Sequence, residues 1–311
     1  MGHRPELPPH LAMRSFTRSE GARGGLTISR MRAKDLYVPS REIRVPLGAQ
    51  QSYRDRVRPY TELGVENYIS HTSAAILHGI PMPYVHEQAR SVHLTRPAGT
   101  MIPRRKGVTG HKRALSPEEC TLVDGIPVTT PARTLLDLSA ILTLGELVAA
   151  ADHLICEHDR DFEAPKIAIV TAAGLRAYIA SKRFIRGLGN AQAAMELMRV
   201  GVDSPPETRL RLLLQRAGLP EFTTNHRIPG APGERTVLPD LACEEFRVCG
   251  EYEGEVHLTP EKQLFDRNRD MRTAARGWLQ VKVFKKDMQR GDAWVAGMFR
   301  EALREHGWNP G

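Results

Sequence analysis

Cysteine is scarce in this 311-residue chain, with four residues at positions 120, 156, 243 and 249. None forms a Cys-x-x-Cys pair, which argues against a zinc knuckle, and so few thiols suit a reducing cytosol better than a disulfide scaffold. No apolar run approaches membrane-spanning length, and the N-terminus lacks an apolar signal core, so a cytoplasmic protein is expected. No internal repeat is evident. Acidic residues are outnumbered, 36 Asp and Glu against 44 Lys and Arg, giving a net charge of +8 and a pI near 9.5. That balance favours an anionic partner such as nucleic acid. A composition of 41% hydrophobic and 26% charged residues fits a globular protein, and this length suggests about two domains.

What is present centres on residues 238 to 257. The pattern predicts two short strands with a tight connection. Asp240 follows Pro239 on the first strand, and Glu251 and Glu253 stand two apart on the second. Residues two apart share a strand face, so both acids point one way while Phe246, Val248 and Tyr252 face a core. His257 follows within reach. Such a group can bind a hard divalent cation, Mg²⁺ or Mn²⁺, through carboxylate oxygens. Acids on an exposed hairpin face are the plainer alternative.

The N-terminal half opens on residues 1–14, expected as a loose tail, and then Thr17 with Glu20, a capping-box pair that predicts a short helix to about Arg23. After the Gly24–Gly25 turn, Thr27 predicts a second helix through Ile28, Met31 and Lys34, exposing Arg30, Arg32 and Lys34. Leu36–Val38 reads as a strand. This is the order of a winged helix-turn-helix, whose second helix would enter a DNA groove. Residues 45–63 are Arg-rich and aperiodic. A helix follows over Ser70–Gly79; His71 and His78, two turns apart, are too distant to share one ion and read as packing or capping residues. Ser91–Arg96 alternates like a strand. Arg104, Arg105 and Lys106 lead the strongest basic cluster, suited to phosphate backbone or to a solvated loop. Asp124–Gly125 predicts a hairpin turn, and Thr130 with Pro131 the start of a helix carrying Leu135, Leu136 and Leu138.

Phe16 to Val38, Ser70-His71-Thr72-Ser73-Ala74-Ala75-Ile76-Leu77-His78-Gly79 and Gly125-Ile126-Pro127-Val128-Thr129-Thr130-Pro131-Ala132-Arg133-Thr134-Leu135-Leu136-Asp137 together resemble AbiEi-type antitoxin and transcriptional-regulator proteins. The resemblance covers roughly the first half. It implies an N-terminal winged helix that binds DNA, a mixed α/β domain after it, and a nucleotidyltransferase toxin as partner.

In the second half, Ser204-Pro205-Pro206-Glu207 opens a helix with a capping box, and Glu207 has Arg211 one turn on as a possible ion-pair partner. The order from there is helix, strand, strand, helix, strand. With Pro239-Asp240-Leu241, Glu251-Tyr252-Glu253-Gly254-Glu255-Val256-His257 and Asp266-Arg267-Asn268-Arg269, it resembles the Vsr-like branch of the PD-(D/E)XK nucleases over about residues 204 to 290. The resemblance implies Asp240 and Glu251 as metal ligands, Glu207 as the helix acid and His257 as the histidine near the scissile phosphate. Glu253 stands where the superfamily usually has lysine.

The expected architecture is an α/β (α+β) protein: a tail at 1–14, a winged helix-turn-helix at 15–63, an AbiEi-like mixed domain at 64–156, linking helices at 157–203 and a restriction-endonuclease-like core at 204–311. The expected function is Mg²⁺-dependent hydrolysis of DNA, with Glu207, Asp240, Glu251, Glu253 and His257 as the catalytic group and Arg269 on phosphate, or paired with Asp266 or Glu253. The rival is a non-catalytic DNA-binding regulator or antitoxin. RNA cleavage is a third reading.

Overall fold

Two compact units make up the chain, Met1–Ile141 with Phe184–Leu188, and Leu142–Arg183 with Gly189–Gly311. The computed structural model describes residues 5–160, 164–232, 234–254 and 260–310, with the side chains of 260–266 excepted. The class is mixed α and β.

The first unit begins earlier than the sequence suggests. Pro9–Ala12 forms a helical turn (α1), and its Leu11 is fully buried with Phe16, Leu26, Met31 and Leu36, so apolar burial orders part of the segment expected as a tail. Phe16–Thr17 is β1. The hydroxyl of Thr17 accepts from the Glu20 N–H at 3.1 Å, and the Glu20 carboxylate accepts from the Thr17 N–H at 3.4 Å. This reciprocal cap starts α2, Arg18–Arg23.

The expected second helix is absent. Thr27 does accept from the Arg30 N–H at 3.1 Å, but only a 3₁₀ turn follows, Arg30–Arg32, because Ala33 is already extended with ψ 150°. The inward pull of Arg30 explains the stop. Its guanidinium donates to both oxygens of Asp35 at 3.0 and 2.8 Å and to the Pro5 carbonyl at 2.6 Å. Leu36–Tyr37 (β2) and Ile43–Pro46 (β3) complete a three-stranded antiparallel sheet in the order β1-β3-β2. The Arg-rich stretch thought aperiodic holds a helix, α3, Tyr53–Thr61, opened by a Ser52–Asp55 capping box.

Tyr68–Ile69 (β4) leads into α4, His71–His78, which Gly79 ends at φ +70°. Then come α5, Tyr84–Glu87; β5, Val92–Pro97; β6, Val108–Arg113; β7, Cys120–Val123; β8, Ile126–Thr129; and α6, Pro131–Leu138. The strands form one mixed sheet in the order β6-β5-β4-β8-β7. Asp124 and Gly125 take φ of 49° and 76° at the expected hairpin turn. The core of this layer includes Ile69, Ala74, Leu77, Val92, Leu94, Ile126 and Val128. Arg133 is buried against it, neutralised by Glu119 at 3.0 Å and Asp137 at 3.1 Å.

The second unit starts with α7, Leu144–Ile155, then α8, Ala172–Ala180, α9, Leu188–Leu197, and α10, Pro205–Arg216. Asp152 on α7 is buried and accepts from the Arg199 N–H at 2.7 Å, the Thr208 hydroxyl at 2.8 Å and the Arg211 guanidinium at 2.8 Å. Arg211 is thus taken by Asp152, not by Glu207 one turn away. The sheet that follows contains β9, Leu241–Cys243; β10, Val248–Glu253; and, after α11, Pro260–Ala275, the strand β11, Leu279–Phe284. Its order is β11-β10-β9, with β9 antiparallel and β11 parallel to β10. The helices α12, Lys285–Gln289, and α13, Asp292–Glu305, close the unit. One sheet face packs Val248, Val281 and Val283 against Leu210, Leu213, Val295 and Phe299. Gly250 is required there: a Cβ would lie 2.7 Å from the Phe299 ring. The opposite face carries Glu251 and Glu253, as strand alternation demands.

Candidate functional site

In the second unit Asp240 lies within electrostatic reach of two further acids, Glu207 and Glu251, each from a different element. Glu251 lies on β10 and is only 4% exposed. Asp240 precedes β9, one step beyond the Leu241–Gly250 pair of the antiparallel ladder. Its Oδ2 accepts from the Tyr252 N–H at 2.7 Å, which fixes it beside Glu251. Glu207 comes from the first turn of α10. One of its oxygens accepts from the Asp203 N–H at 2.9 Å and the other from the Ser204 hydroxyl at 2.7 Å. The capping chemistry expected of Glu207 therefore also orients it.

The cost of this arrangement is visible in the ionisation of each acid. Burial pushes Asp240 up to about 7, and the neighbouring charges of Glu207 and Glu251 push the same way. Burial also raises Glu251 to about 7, with the Arg269 guanidinium opposing and Glu253 reinforcing the rise. Glu207 is raised chiefly by burial. Glu251 Oε1 is buried and has no hydrogen-bond partner among the described residues. A buried, unpartnered carboxylate oxygen is a feature a hard divalent cation could use, but among the described residues the ligand atoms of Asp240, Glu251 and Glu207 do not come together within 4.8 Å as a three-residue group.

Cations border the acids. Arg269 on α11 is in direct contact with Glu251 and also pairs with Glu253 at 3.7 Å; among the described residues Glu251 is the nearer partner. Sequence reasoning missed Lys282. The parallel register pairs it with Glu251, and its ammonium reaches Asp270 at 2.5 Å and Glu253 at 4.0 Å. The signal was available, since Val281 and Val283 point to the core and Lys282 between them must face the acids. His257 and Glu255 lie outside the described residues, as does the side chain of Asp266.

The candidate nucleic-acid residues lie in the first unit. Arg32, Lys34, Arg104 and Lys106 are exposed, and Arg105 is partly exposed with a guanidinium N–H on the Arg41 carbonyl. Arg30 is different: it is buried and held by Asp35 and Pro5, so its guanidinium serves the fold.

Residues 68–184 match the AbiEi antitoxin C-terminal domain. The matched span holds the Ser70–Gly79 and Gly125–Asp137 segments in which the resemblance was read. No curated protein and no solved structure matches the chain. The Vsr-like reading of residues 204–290 gains no support from these comparisons. No described helix is long and apolar enough to cross a membrane.

Proposed function

We propose that this protein is a DNA-binding regulator of the AbiEi antitoxin type, acting with a cognate nucleotidyltransferase toxin. The observation that carries the reading is the match of residues 68–184 to the AbiEi antitoxin C-terminal domain. The net charge of +8 and the exposed Arg32, Lys34, Arg104 and Lys106 supply what phosphate binding needs. The test is a gel shift on duplex DNA with chelator present. Binding that weakens steeply with salt supports the reading, and absence of binding at low salt overturns it.

The carboxylate group favours a second reading, metal-dependent hydrolysis of DNA phosphodiesters by the second unit. Asp240 and Glu251 would hold Mg²⁺ or Mn²⁺, with Glu207 beside them. When bound, such an ion supplies Lewis acidity and lowers the pKa of a coordinated water. Glu253 and Lys282 would order groups at the edge of the site, and Arg269 has the planar fork that matches phosphate. His257 is the proposed proton carrier. Nicking of supercoiled plasmid, lost in Asp240→Ala, supports this reading. Equal nicking by both proteins, or none on plasmid, mismatched and single-stranded DNA, overturns it.

A further inference from the structure

Three histidines far apart in sequence meet in the first unit. His71 is the first residue of α4, His93 lies on β5 and His111 on β6. In the parallel β5–β6 pair, His93 stands opposite Thr109 and Thr95 opposite His111. The two histidines are therefore diagonal neighbours on one sheet face. His71 lies against this pair, its ring stacked on His111 at 3.6 Å between centroids and 13° between planes, so the ring must turn off the His111 face to aim a nitrogen at a shared ion. One ring nitrogen from each histidine lies within 4.8 Å of the other two. His93 Nδ1 and His111 Nε2 are 3.0 Å apart, close to the roughly 3.3 Å that separates two nitrogens on a tetrahedral Zn²⁺.

We propose that His71, His93 and His111 bind a Zn²⁺-class transition-metal ion, with a fourth position left for water.

Three further observations bear on the site. First, Asp137 Oδ2 lies 3.6 Å from His71 Nδ1 and is buried without a hydrogen-bond partner among the described residues. The Ser70 hydroxyl is 2.9 Å from the same nitrogen. The Ser70 hydroxyl thus engages Nδ1 and leaves Nε2 for the metal, while the Asp137 carboxylate stands just beyond hydrogen-bond reach. Second, His71 has a left-handed backbone, φ +51°. Such strain in a non-glycine residue persists where the surroundings fix it, often at functional positions. Third, His93 and His111 are partly exposed, which gives an ion a path in; Arg133 is paired with Glu119 and Asp137, while Arg113 lies near His71 and His111 and is a positive charge the ion must tolerate.

The donor set differs in kind from the acids of the second unit. Imidazole nitrogen selects zinc-like ions, whereas carboxylate oxygen suits magnesium. A bound ion would tie the start of α4 to β5 and β6, within the span that matches the antitoxin domain.

The experiment uses the full chain without a purification tag, stripped with chelator and then held in millimolar Mg²⁺ to fill the carboxylate site. Co²⁺ is titrated in, since tetrahedral nitrogen ligation gives it a strong visible absorption. The expected result is one such Co²⁺ per chain, displaced by Zn²⁺. His93→Gln and His111→Gln should each weaken binding roughly tenfold or more, and His226→Gln should leave it unchanged. As a second readout, Zn²⁺ should raise the melting temperature of the wild type and not of the His93 or His111 variants. No tetrahedral Co²⁺ band in the wild type, or variants that bind as tightly as the wild type, would overturn the proposal.

Discussion

The backbone N–H of Tyr252 donates to Asp240 Oδ2 across 2.7 Å, so the last turn before β9 is locked to β10 beside Glu251. Glu251 is buried and Asp240 half-buried, and this contributes to how the fold responds to pH. In the unfolded chain, Asp and Glu lose their protons near pH 4. In the fold, Asp240 and Glu251 keep theirs to about pH 7, mainly because burial disfavours the charge. Between those values these two acids bind more protons in the fold than in the unfolded chain, so their contribution to stability falls as pH rises. His71 and His111, held down to about 2 and about 4 by burial, act in the opposite sense up to the unfolded value near 6.5, so the acids' share is read from a variant and not from the wild type alone. Asp240→Asn keeps an oxygen for the Tyr252 N–H and removes a charge, so it should gain roughly 1–2 kcal/mol at pH 7.5. Melting curves of the wild type and Asp240→Asn at pH 5 and pH 7.5 check this: the variant's advantage should grow with pH, and an equal advantage at both values would refute it.

A divalent cation should reverse that loss. Under the nuclease reading, Mg²⁺ or Mn²⁺ binds the ionised acids and so stabilises the fold at pH 7.5. At a hundredfold excess over its dissociation constant the gain is about 2.7 kcal/mol. Asp240→Asn should show little of it. A melting temperature indifferent to both ions would speak against a metal site at Asp240 and Glu251.

Arg269 is in contact with Glu251, one oxygen of which is already buried and unpartnered. Arg269→Ala should therefore cost on the order of 3 kcal/mol at pH 8, where Glu251 is charged. The cost should shrink at pH 5, where Glu251 takes up a proton instead. Urea denaturation of both proteins at the two pH values measures the difference. Equal costs at both would mean that Arg269 acts through packing alone.

Arg30 and Arg32 are two residues apart and should behave oppositely. Arg30 is buried in its pair with Asp35, while Arg32 is exposed. Arg30→Ala should lower the melting temperature, because it removes the buried guanidinium that ties Asp35 to the Pro5 carbonyl. Arg32→Ala should leave stability within about 0.5 kcal/mol but weaken DNA binding and reduce its salt slope by about 1. Thermal melts beside binding isotherms separate the two effects.

Much of the local structure was legible because it rests on short-range chemistry. Thr17 with Glu20, Asp124–Gly125, Thr130–Pro131 and Ser204 to Glu207 each mark a cap or turn whose partners lie within a few residues. The alternation around Glu251 and Glu253 likewise gave their shared strand face. What escaped depends on distant partners. The helix expected after Thr27 is cut short because Arg30 turns inward to Asp35 and Pro5, a choice no periodicity reveals. Glu207 was offered Arg211, but Asp152 on α7 takes it. The histidine cluster was invisible for the same reason: His71, His93 and His111 meet only through the packing of α4 on β5 and the β5–β6 register. His71 and His78, the pair the sequence made conspicuous, serve different neighbours, and His78 bonds to the Thr129 carbonyl at 2.7 Å.

The measurement that bears most directly on the regulator reading is the affinity of the full chain for duplex DNA, by fluorescence anisotropy in chelator, over a range of salt. The account predicts binding whose logarithm falls linearly with the logarithm of salt concentration, with a slope of several units. Asp240→Ala should bind as the wild type does, and combined Arg32, Lys34, Arg104 and Lys106 substitutions to alanine should bind much more weakly with a shallower slope. A protein that fails to bind DNA at low salt, or whose binding ignores both salt and those four side chains, would contradict it.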